Sequence, residues 1–225
     1  MLLEISGLDI WYRRDIPIIH NLSLAIAENE IVGLIGLNGA GKTTLINTVS
    51  GVHRHYSGGV DFKERSFKLR RYTVFAEDTS FQYYTFNEYL SHVLAAYRQL
   101  HDKKCVEELV NGFRFEEYRN VLIRDLSTGS RRKVYLITGL ALRLPLLLLD
   151  EPVNGLDFQS TEYLYGQING YRKYGTVLFS SHILESICLT SDRVLVLEKG
   201  CISREFSAEK IDAAAIREVL NEQDI

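Results

Sequence analysis

The sequence predicts an α/β fold with a mostly parallel sheet core, an antiparallel β edge and a helical subdomain. Three observations lead to this prediction. Strand-like and helix-like segments alternate from Ile31 onward, which is typical of a parallel sheet. Several strand-like segments, such as LLLLD at 146–150, are uninterrupted apolar runs, as expected for strands covered on both faces. The stretch from about 80 to 127 has helical patterns and no good strand, which indicates a helical insertion.

The predicted elements follow one another along the whole chain. The strand-like segments lie at 2–12, 18–26, 30–36, 72–75, 146–150, 176–181 and 193–198. The helical patterns lie at about 42–50, 86–100, 103–112, 130–143, 159–172, 183–188 and 208–221. The first two strands look like a hairpin pair, and they are assigned with the late strands at 193–206 to the antiparallel edge. With three prolines, no repeat and no linker, residues 1–225 are expected to form one domain.

Composition and charge exclude several classes of protein. Hydrophobic residues make up 46% of the 225 residues and charged residues 24%, as in an ordinary soluble domain. The net charge of -3 argues against an electrostatic nucleic-acid binder, so no nucleic-acid partner is expected. The N-terminus lacks the basic region of a signal peptide, and the longest apolar run, 144–149, is too short to cross a bilayer. The three cysteines form no C-x-x-C pair, so reduced thiols and a cytoplasmic location are expected.

The strongest chemical signal is GLNGAGKTT at 36–44, which fits the pattern G-x-x-x-x-G-K-[ST]. Glycines let the backbone wrap closely around a phosphate, and the helix that begins near Lys42 adds the positive end of its dipole. Lys42 is expected between the β- and γ-phosphates, and the Thr43 hydroxyl on Mg²⁺. A chance glycine-rich turn is the alternative, but a strand precedes this motif and a helix follows it. The predicted nucleotide-binding residues are Gly36, Asn38, Gly39, Ala40, Gly41, Lys42, Thr43 and Thr44.

The second signal is LLLLDEP at 146–152, an apolar strand that ends in two acids. Asp150 then stands at the carboxyl end of a strand, where doubly wound sheets bind their ligands. Asp150 can join the Mg²⁺ shell, and Glu151 can orient and deprotonate the attacking water. A lone Asp-Glu pair is commonly just a cap at a strand end. Beside a phosphate loop, the metal-binding and catalytic interpretation is favoured.

The order of five motifs, GLNGAGKTT, LSTGS, LLLLDEP, NGLD and SSH, resembles the ATP-binding subunit of an ATP-binding-cassette (ABC) transporter over essentially the whole chain. The resemblance implies a P-loop NTPase fold of ABC type, ATP and Mg²⁺ as cofactors, and ATP hydrolysis. LSTGS at 126–130 stands at the position of the family's LSGGQ signature, which completes the ATP site of the opposite subunit in a head-to-tail dimer. Ser127 and the Gly129 backbone would then form an anion-binding helix terminus. Without the resemblance, LSTGS would be read as a plain helix cap.

The resemblance assigns three further residues. Asp157 closes NGLD at 154–157, the loop that bridges the two subunits in the family. His182 matches the switch histidine that contacts the γ-phosphate. Tyr12 matches the aromatic residue that stacks on adenine, whereas Trp11 points to the opposite face of its strand and is expected in the core.

Two departures from the family pattern stand out. The family places a glutamine after the strand predicted here at 72–75, where it senses Mg²⁺ and couples to the membrane partner. Counting back from TFNEYL places Ala76 there, and neither Glu77 nor Gln82 is in register. The signature also has Thr128 and Ser130 in place of glycine and glutamine. Its serine and second glycine remain, so γ-phosphate binding across the dimer is expected to survive.

The resemblance also implies partners. A second ATP-binding subunit, identical or a paralogue, would close the two ATP sites. An integral membrane permease subunit would be driven by the resulting conformational change, at the cytoplasmic face of the membrane. The insertion at 80–127 would dock that permease through exposed aromatic residues, with the candidates Phe81, Tyr83, Tyr84 and Phe86. The short chain and its STG-type signature look most like exporters of peptides, drugs or lipids.

Two alternatives remain at this point. A non-transport ABC-type ATPase acting on ribosomes or DNA usually carries two cassettes or a long coiled-coil insertion, and the sequence shows neither. A regulatory ATP-binding subunit with low turnover would explain Ala76 and the altered signature.

Overall fold

The computed structural model describes residues 1–13, 16–63, 67–100, 102–207 and 210–221. The strands are β1 Leu3–Arg13, β2 Ile16–Ile26, β3 Ile31–Ile35, β4 Tyr56–Phe62, β5 Arg71–Val74, β6 Leu146–Leu149, β7 Thr176–Ser181, β8 Arg193–Glu198 and β9 Cys201–Ser207. The helices are α1 Lys42–Ser50, α2 Phe86–Ala96, α3 Lys103–Gly112, α4 Thr128–Leu142, α5 Phe158–Gly170, α6 Leu184–Thr190 and α7 Ala213–Asn221. Short 3-10 segments lie at Phe67–Arg70, Glu116–Tyr118, Ile123–Asp125 and Tyr171–Lys173.

The strands form two sheets. The larger has the order β5-β6-β7-β3-β8-β9, in which only the β8–β9 pair is antiparallel. The smaller is antiparallel, with the order β2-β1-β4. A mostly parallel core with an antiparallel edge was the prediction, and it is confirmed. Strand β4 was not predicted, because YSGGVDF carries two glycines and is exposed or only partly buried along its length.

Strands β3 and β6 carry no polar side chain, because each of their faces meets a different core. In β3, Ile31 and Ile35 join the core that packs against helices α2 to α7. Val32 and Leu34 join a second core with α1 and the three-stranded sheet. Alternate side chains of a strand point to opposite faces, so a strand between two cores is buried on both. Strand β7 is also buried throughout but carries Thr176, Ser180 and Ser181 towards its ends.

Residues 80–127 contain α2, α3 and two 3-10 segments. Thr85 begins α2 with a reciprocal capping box to Glu88, a local feature that the sequence encodes directly. Aromatic rings then join this region to α4; the Tyr89 and Tyr135 ring centroids lie 5.4 Å apart. Within the described ranges, no helix is both long and apolar enough to cross a membrane.

Two sequence-based expectations about aromatic residues are wrong. Phe86 is fully buried, since it is the first residue of α2 and its ring packs against Phe115 at 5.4 Å. Trp11 is partly buried rather than in the core, because its neighbour Ile10 points into the second core and adjacent side chains of a strand point to opposite faces. Phe81 and Tyr83 are exposed as expected, by 39% and 72%. The cysteines are free thiols, as predicted.

Candidate functional site

The loop between β3 and α1 has a shape that only glycine permits at key positions. Gly39 and Gly41 adopt positive φ angles of 85° and 109°. A Cβ at Gly36 would lie 2.2 Å from the Leu197 carbonyl oxygen, and one at Gly41 would lie 2.6 Å from Ile19 Cδ1. No side chain caps the start of α1, and its first turn contains no acid. Its first N–H groups therefore face the loop and suit an anion such as a phosphate.

Lys42 is held at this loop. Its side chain is almost fully buried, and Nζ donates to the Gly36 and Leu37 carbonyl oxygens at 2.7 and 3.2 Å. Nζ also lies 3.8 Å from Glu151 Oε1. Burial lowers the pKa of Lys42, and the Glu151 and Asp150 carboxylates partly offset that effect. The ammonium group is thus a desolvated cation at the start of α1, ready to meet a polyphosphate.

Asp150 directly follows β6 and is fully buried. Its Oδ1 accepts a hydrogen bond from Ser180 Oγ at 2.6 Å, whereas Oδ2 is buried and has no partner among the described residues. A buried carboxylate oxygen without a donor is well suited to Mg²⁺, which prefers such hard oxygen ligands. Thr43, the other predicted magnesium ligand, is exposed at the start of α1.

Glu151 lies between two other predicted site residues. Its Oε2 lies 2.7 Å from His182 Nδ1 and accepts the His182 backbone N–H at 3.3 Å. Its backbone is left-handed, with φ 49°, a conformation that costs an ordinary residue about 1–2 kcal/mol. The Ser180 hydroxyl, which accepts the Glu151 N–H at 2.9 Å, helps to hold this conformation. Lys42, Glu151 and His182 thus meet beyond the ends of β3, β6 and β7.

The signature segment lies apart from that cluster. Ser127 caps α4, accepting the Ser130 N–H at 3.2 Å and donating to Ser130 Oγ at 3.0 Å. Both bonds stay within the first turn of α4, which begins at Thr128, two residues before the predicted start. A Cβ at Gly129 would lie 2.2 Å from the Gly155 carbonyl oxygen, so this turn packs directly on the NGLD loop. Ser127 remains exposed.

Asp157 fastens the NGLD loop to α4. Its Oδ1 caps α5 by accepting the Ser160 N–H at 2.8 Å, and its Oδ2 lies 2.8 Å from Nζ of the buried Lys133. The Lys133 ammonium and the Ser160 N–H together hold the pKa of Asp157 well below its usual range. A lowered folded-state pKa stabilises the fold at pH values above the unfolded pKa, about 4, and this stabilisation fades as the pH falls.

We expect Asp157→Ala to lower the free energy of unfolding at pH 7 by about 1 kcal/mol or more, because it removes the helix cap and the partner of Lys133. Asp157→Asn keeps the cap and should lose less. Urea unfolding at pH 7 and pH 4 measures both. The deficit of Asp157→Asn should shrink at pH 4, where the carboxylate is partly protonated in the unfolded chain. A deficit that is the same at both pH values would contradict the role of the ion pair.

Tyr12 is the second-to-last residue of β1 and is 55% exposed, so its ring is accessible for stacking. Its ring lies edge-on to His53, with the centroids 4.8 Å apart. His53 Nε2 in turn contacts the Trp11 carbonyl oxygen at 3.1 Å. The sequence did not point to His53, which follows α1 in an irregular segment.

The loop after β5 borders a cleft. Ala76 lies in the wall of a cavity of about 290 Å³, together with residues 77–79, the start of α4 and the NGLD loop. Glu77 shares that wall, whereas the Gln82 carbonyl oxygen accepts a hydrogen bond from the Arg124 N–H in the helical insertion. Arg132 and Ser180, which support Asp150 and Glu151, were not predicted. Only the serines of SSH hinted at Ser180; nothing in the sequence distinguished Arg132.

Comparisons with known proteins agree on one family. A family model described as "ABC transporter" matches residues 19–154. The putative ABC transporter ATP-binding protein AlbC of Bacillus subtilis is 38% identical over 216 residues, 90% of each chain. The cobalt import ATP-binding protein CbiO of Rhodobacter capsulatus is 30% identical over 93% of this chain and 80% of its own.

Solved structures share the fold. One described as the ATP-binding subunit of an ABC transporter has a TM-score of 0.85 at 24% identity and covers 100% of this chain and 95% of its own. The dimeric structure of MJ0796, a bacterial ABC transporter cassette, has a TM-score of 0.82 at 20% identity, over 92% of this chain and 99% of its own.

Proposed function

The chain belongs to the ABC transporter family, and we propose that it drives a separate membrane subunit by closing head-to-tail on a second ATP-binding subunit. It is an ATPase of that family and uses ATP with Mg²⁺. The observation that carries the proposal is the meeting of Lys42, Glu151 and His182 beside the unpartnered Asp150 Oδ2. That cluster has the charges and the free oxygen that a magnesium–nucleotide complex requires.

The residues of this chain divide the work of hydrolysis. When bound, Mg·ATP supplies a phosphoryl group whose charge the metal partly neutralises. Lys42 and the N–H groups of loop 36–41 would hold the phosphates, while Thr43 and Asp150 would hold the metal. Glu151 would accept a proton from water, and His182 would orient Glu151 and meet the γ-phosphate. Because Glu151 contacts Lys42 here, phosphate binding would draw the ammonium away and free the carboxylate.

The position of the signature segment, LSTGS at 126–130, supports the proposed dimer. Ser127 is exposed, and its hydrogen bonds stay within α4, away from Lys42. The start of α4 is exposed and does not contact the phosphate loop of the same chain, so it is free to bind the ATP of a second subunit. That subunit would be an identical chain or a paralogue, with Asn154–Asp157 bridging the pair and Tyr12 stacking on adenine.

We place the permease contact on the helical insertion at 80–127. Phe81 and Tyr83 expose their rings there, and Arg124 lies 4.9 Å from the centre of the Tyr83 ring. Exposed aromatic residues of this kind suit a partner helix. The likeness of the STG-type signature to that of exporter subunits supports export of a peptide, drug or lipid. The relative named for cobalt import makes import the alternative.

A regulatory subunit with low turnover is the second candidate. Ala76 supports it, since a methyl group at the wall of the cleft cannot contact a metal or water as a glutamine would. The residues at which hydrolysis is proposed to occur are in place, which favours an active enzyme. Steady-state phosphate release by the purified chain with Mg·ATP decides between them.

We expect the tagged chain to co-purify with an integral membrane protein from detergent-solubilised membranes. Tyr83→Ala should weaken that association about tenfold, as the loss of an interface aromatic commonly does. Tyr174→Ala is the matched control, because Tyr174 is also exposed and has Arg143 at 4.6 Å from its ring centre. Recovery of the chain with ribosomes and with no membrane protein would contradict the transport role.

A further inference from the structure

The guanidinium of Arg132 lies at the carboxyl ends of two strands. Its Nη1 donates to the Phe75 and Ala76 carbonyl oxygens, the latter at 3.1 Å. Its Nη2 donates to the carbonyl oxygens of Asp150 and Glu151. One side chain from α4 therefore binds four backbone carbonyls from two segments.

The four carbonyls lie at equivalent positions, just beyond the carboxyl ends of two neighbouring strands. Strands β5 and β6 are parallel neighbours, with Val74 opposite Leu149. The Asp150 N–H still donates to the Val74 carbonyl at 2.9 Å, so the ladder ends one residue later. Residues 75–76 and 150–151 lie just beyond the last paired residues, Val74 and Leu149. Arg132 bonds the two chains where the sheet no longer does.

Burial makes this arrangement specific to arginine. Arg132 is only 5% exposed. Desolvation lowers its pKa, while the nearby carboxylates of Asp150, Glu151 and Asp78 stabilise its charge. A planar guanidinium with two forked nitrogens can reach two pairs of carbonyls at once, whereas a lysine ammonium donates from a single point.

The consequence falls on Glu151. Its left-handed backbone is fixed on one side by the Ser180 hydroxyl, which accepts its N–H, and on the other by Arg132, which binds its carbonyl. The direction of the Glu151 carboxylate depends on that backbone. A change at Arg132 therefore alters where the carboxylate points without touching the phosphate loop.

We propose that Arg132 is a positioning residue for ATP hydrolysis: it sets the backbone of Glu151 and fastens it to the loop at Ala76. The inference rests on the proposed function, in which Glu151 activates the attacking water. Where the family would supply a glutamine side chain at position 76, this chain supplies a link through the Ala76 carbonyl to Arg132.

Arg132→Lys tests the proposal, because it keeps the charge and loses the fork. We expect kcat for phosphate release to fall about ten- to a hundredfold, while the affinity for Mg·ATP stays within about twofold. Affinity is measured with a fluorescent ATP analogue, and the melting temperature is recorded in parallel. Arg132→Gln, which keeps two donors, should behave in the same direction.

Arg131→Lys is the matched control. Arg131 is the preceding residue of α4, and its guanidinium also binds carbonyls: those of Ile123, Arg124 and Leu126 at 3.2, 3.3 and 3.2 Å. These carbonyls belong to the helical insertion and not to the strand ends. This variant should keep the kcat of the wild type.

Single-turnover hydrolysis in a Glu151→Gln background separates positioning from general support. If Arg132 acts through Glu151, then Arg132→Lys adds little to the loss that Glu151→Gln has already caused. Additive losses, an unchanged kcat, or a lost ATP affinity together with a collapsed melting temperature would each overturn the proposal. A wild-type chain without ATPase activity would instead contradict the proposed function.

Discussion

Glu151→Gln is expected to reduce steady-state ATP hydrolysis by about 10²- to 10⁴-fold, the usual contribution of a general base. The amide keeps the size of the side chain and can still meet His182, which lies 2.7 Å from Glu151 Oε2 in the native protein. It cannot accept a proton from water. It also removes a negative charge 3.8 Å from Lys42 Nζ, so nucleotide affinity should be kept or improved.

Phosphate release, fluorescent-nucleotide titration and gel filtration with Mg·ATP measure the three expectations. A variant that binds ATP without cleaving it should accumulate as the closed dimer. Glu185→Gln is the control, since Glu185 is an exposed acid three residues beyond His182 whose nearest cation, on Arg217, lies 4.0 Å away. Near-normal hydrolysis by Glu151→Gln would show that Glu151 is not the base.

Two inactive variants are expected to restore activity when mixed. Lys42→Ala disables the phosphate loop, and Ser127→Arg blocks the signature by bulk. In a homodimer of either variant, both composite sites contain one disabled segment, so each homodimer should be nearly inactive. In a mixed dimer one site is doubly broken, and the other pairs an intact phosphate loop with an intact signature, as a symmetric head-to-tail interface requires.

Random mixing at equal concentration makes about half of the dimers mixed, each with one good site of two, so activity should return to about a quarter of the wild type if the sites act independently. Ser203→Arg controls for the added bulk, because Ser203 is exposed on β9 at the sheet edge. If Ser127→Arg alone hydrolyses ATP normally and mixing adds nothing, Ser127 is only the helix cap seen in the monomer.

The sequence predicted the phosphate loop and the acids after β6 because their geometry is local. Glycines with positive φ and a strand followed by a helix are encoded within a few residues. The start of α2 was predicted for the same reason, since Thr85 and Glu88 form its capping box.

What the sequence did not predict depends on contacts between distant residues. Arg132 binds carbonyls 57 and 19 residues away along the chain, and Ser180 binds Asp150 from a distance of 30 residues. Phe86 looked like an exposed ring because nothing local indicates that Phe115 would cover it. Strand β4 pairs with the edge of β1, and its own sequence, YSGGVDF, alternates between polar and apolar residues only at its end.

The contact between Gly129 and Gly155 has a mechanical consequence. A Cβ at Gly129 would lie 2.2 Å from the Gly155 carbonyl oxygen, so the backbones at the start of α4 and in the NGLD loop are in direct contact. They would move as one rigid piece. Since Gly155 is four residues beyond Glu151, a pull on one subunit's α4 by its partner's nucleotide would be transmitted to its own catalytic acid. The two ATP sites of the proposed dimer would then be mechanically coupled, so that nucleotide binding at one site changes the position of the catalytic acid at the other.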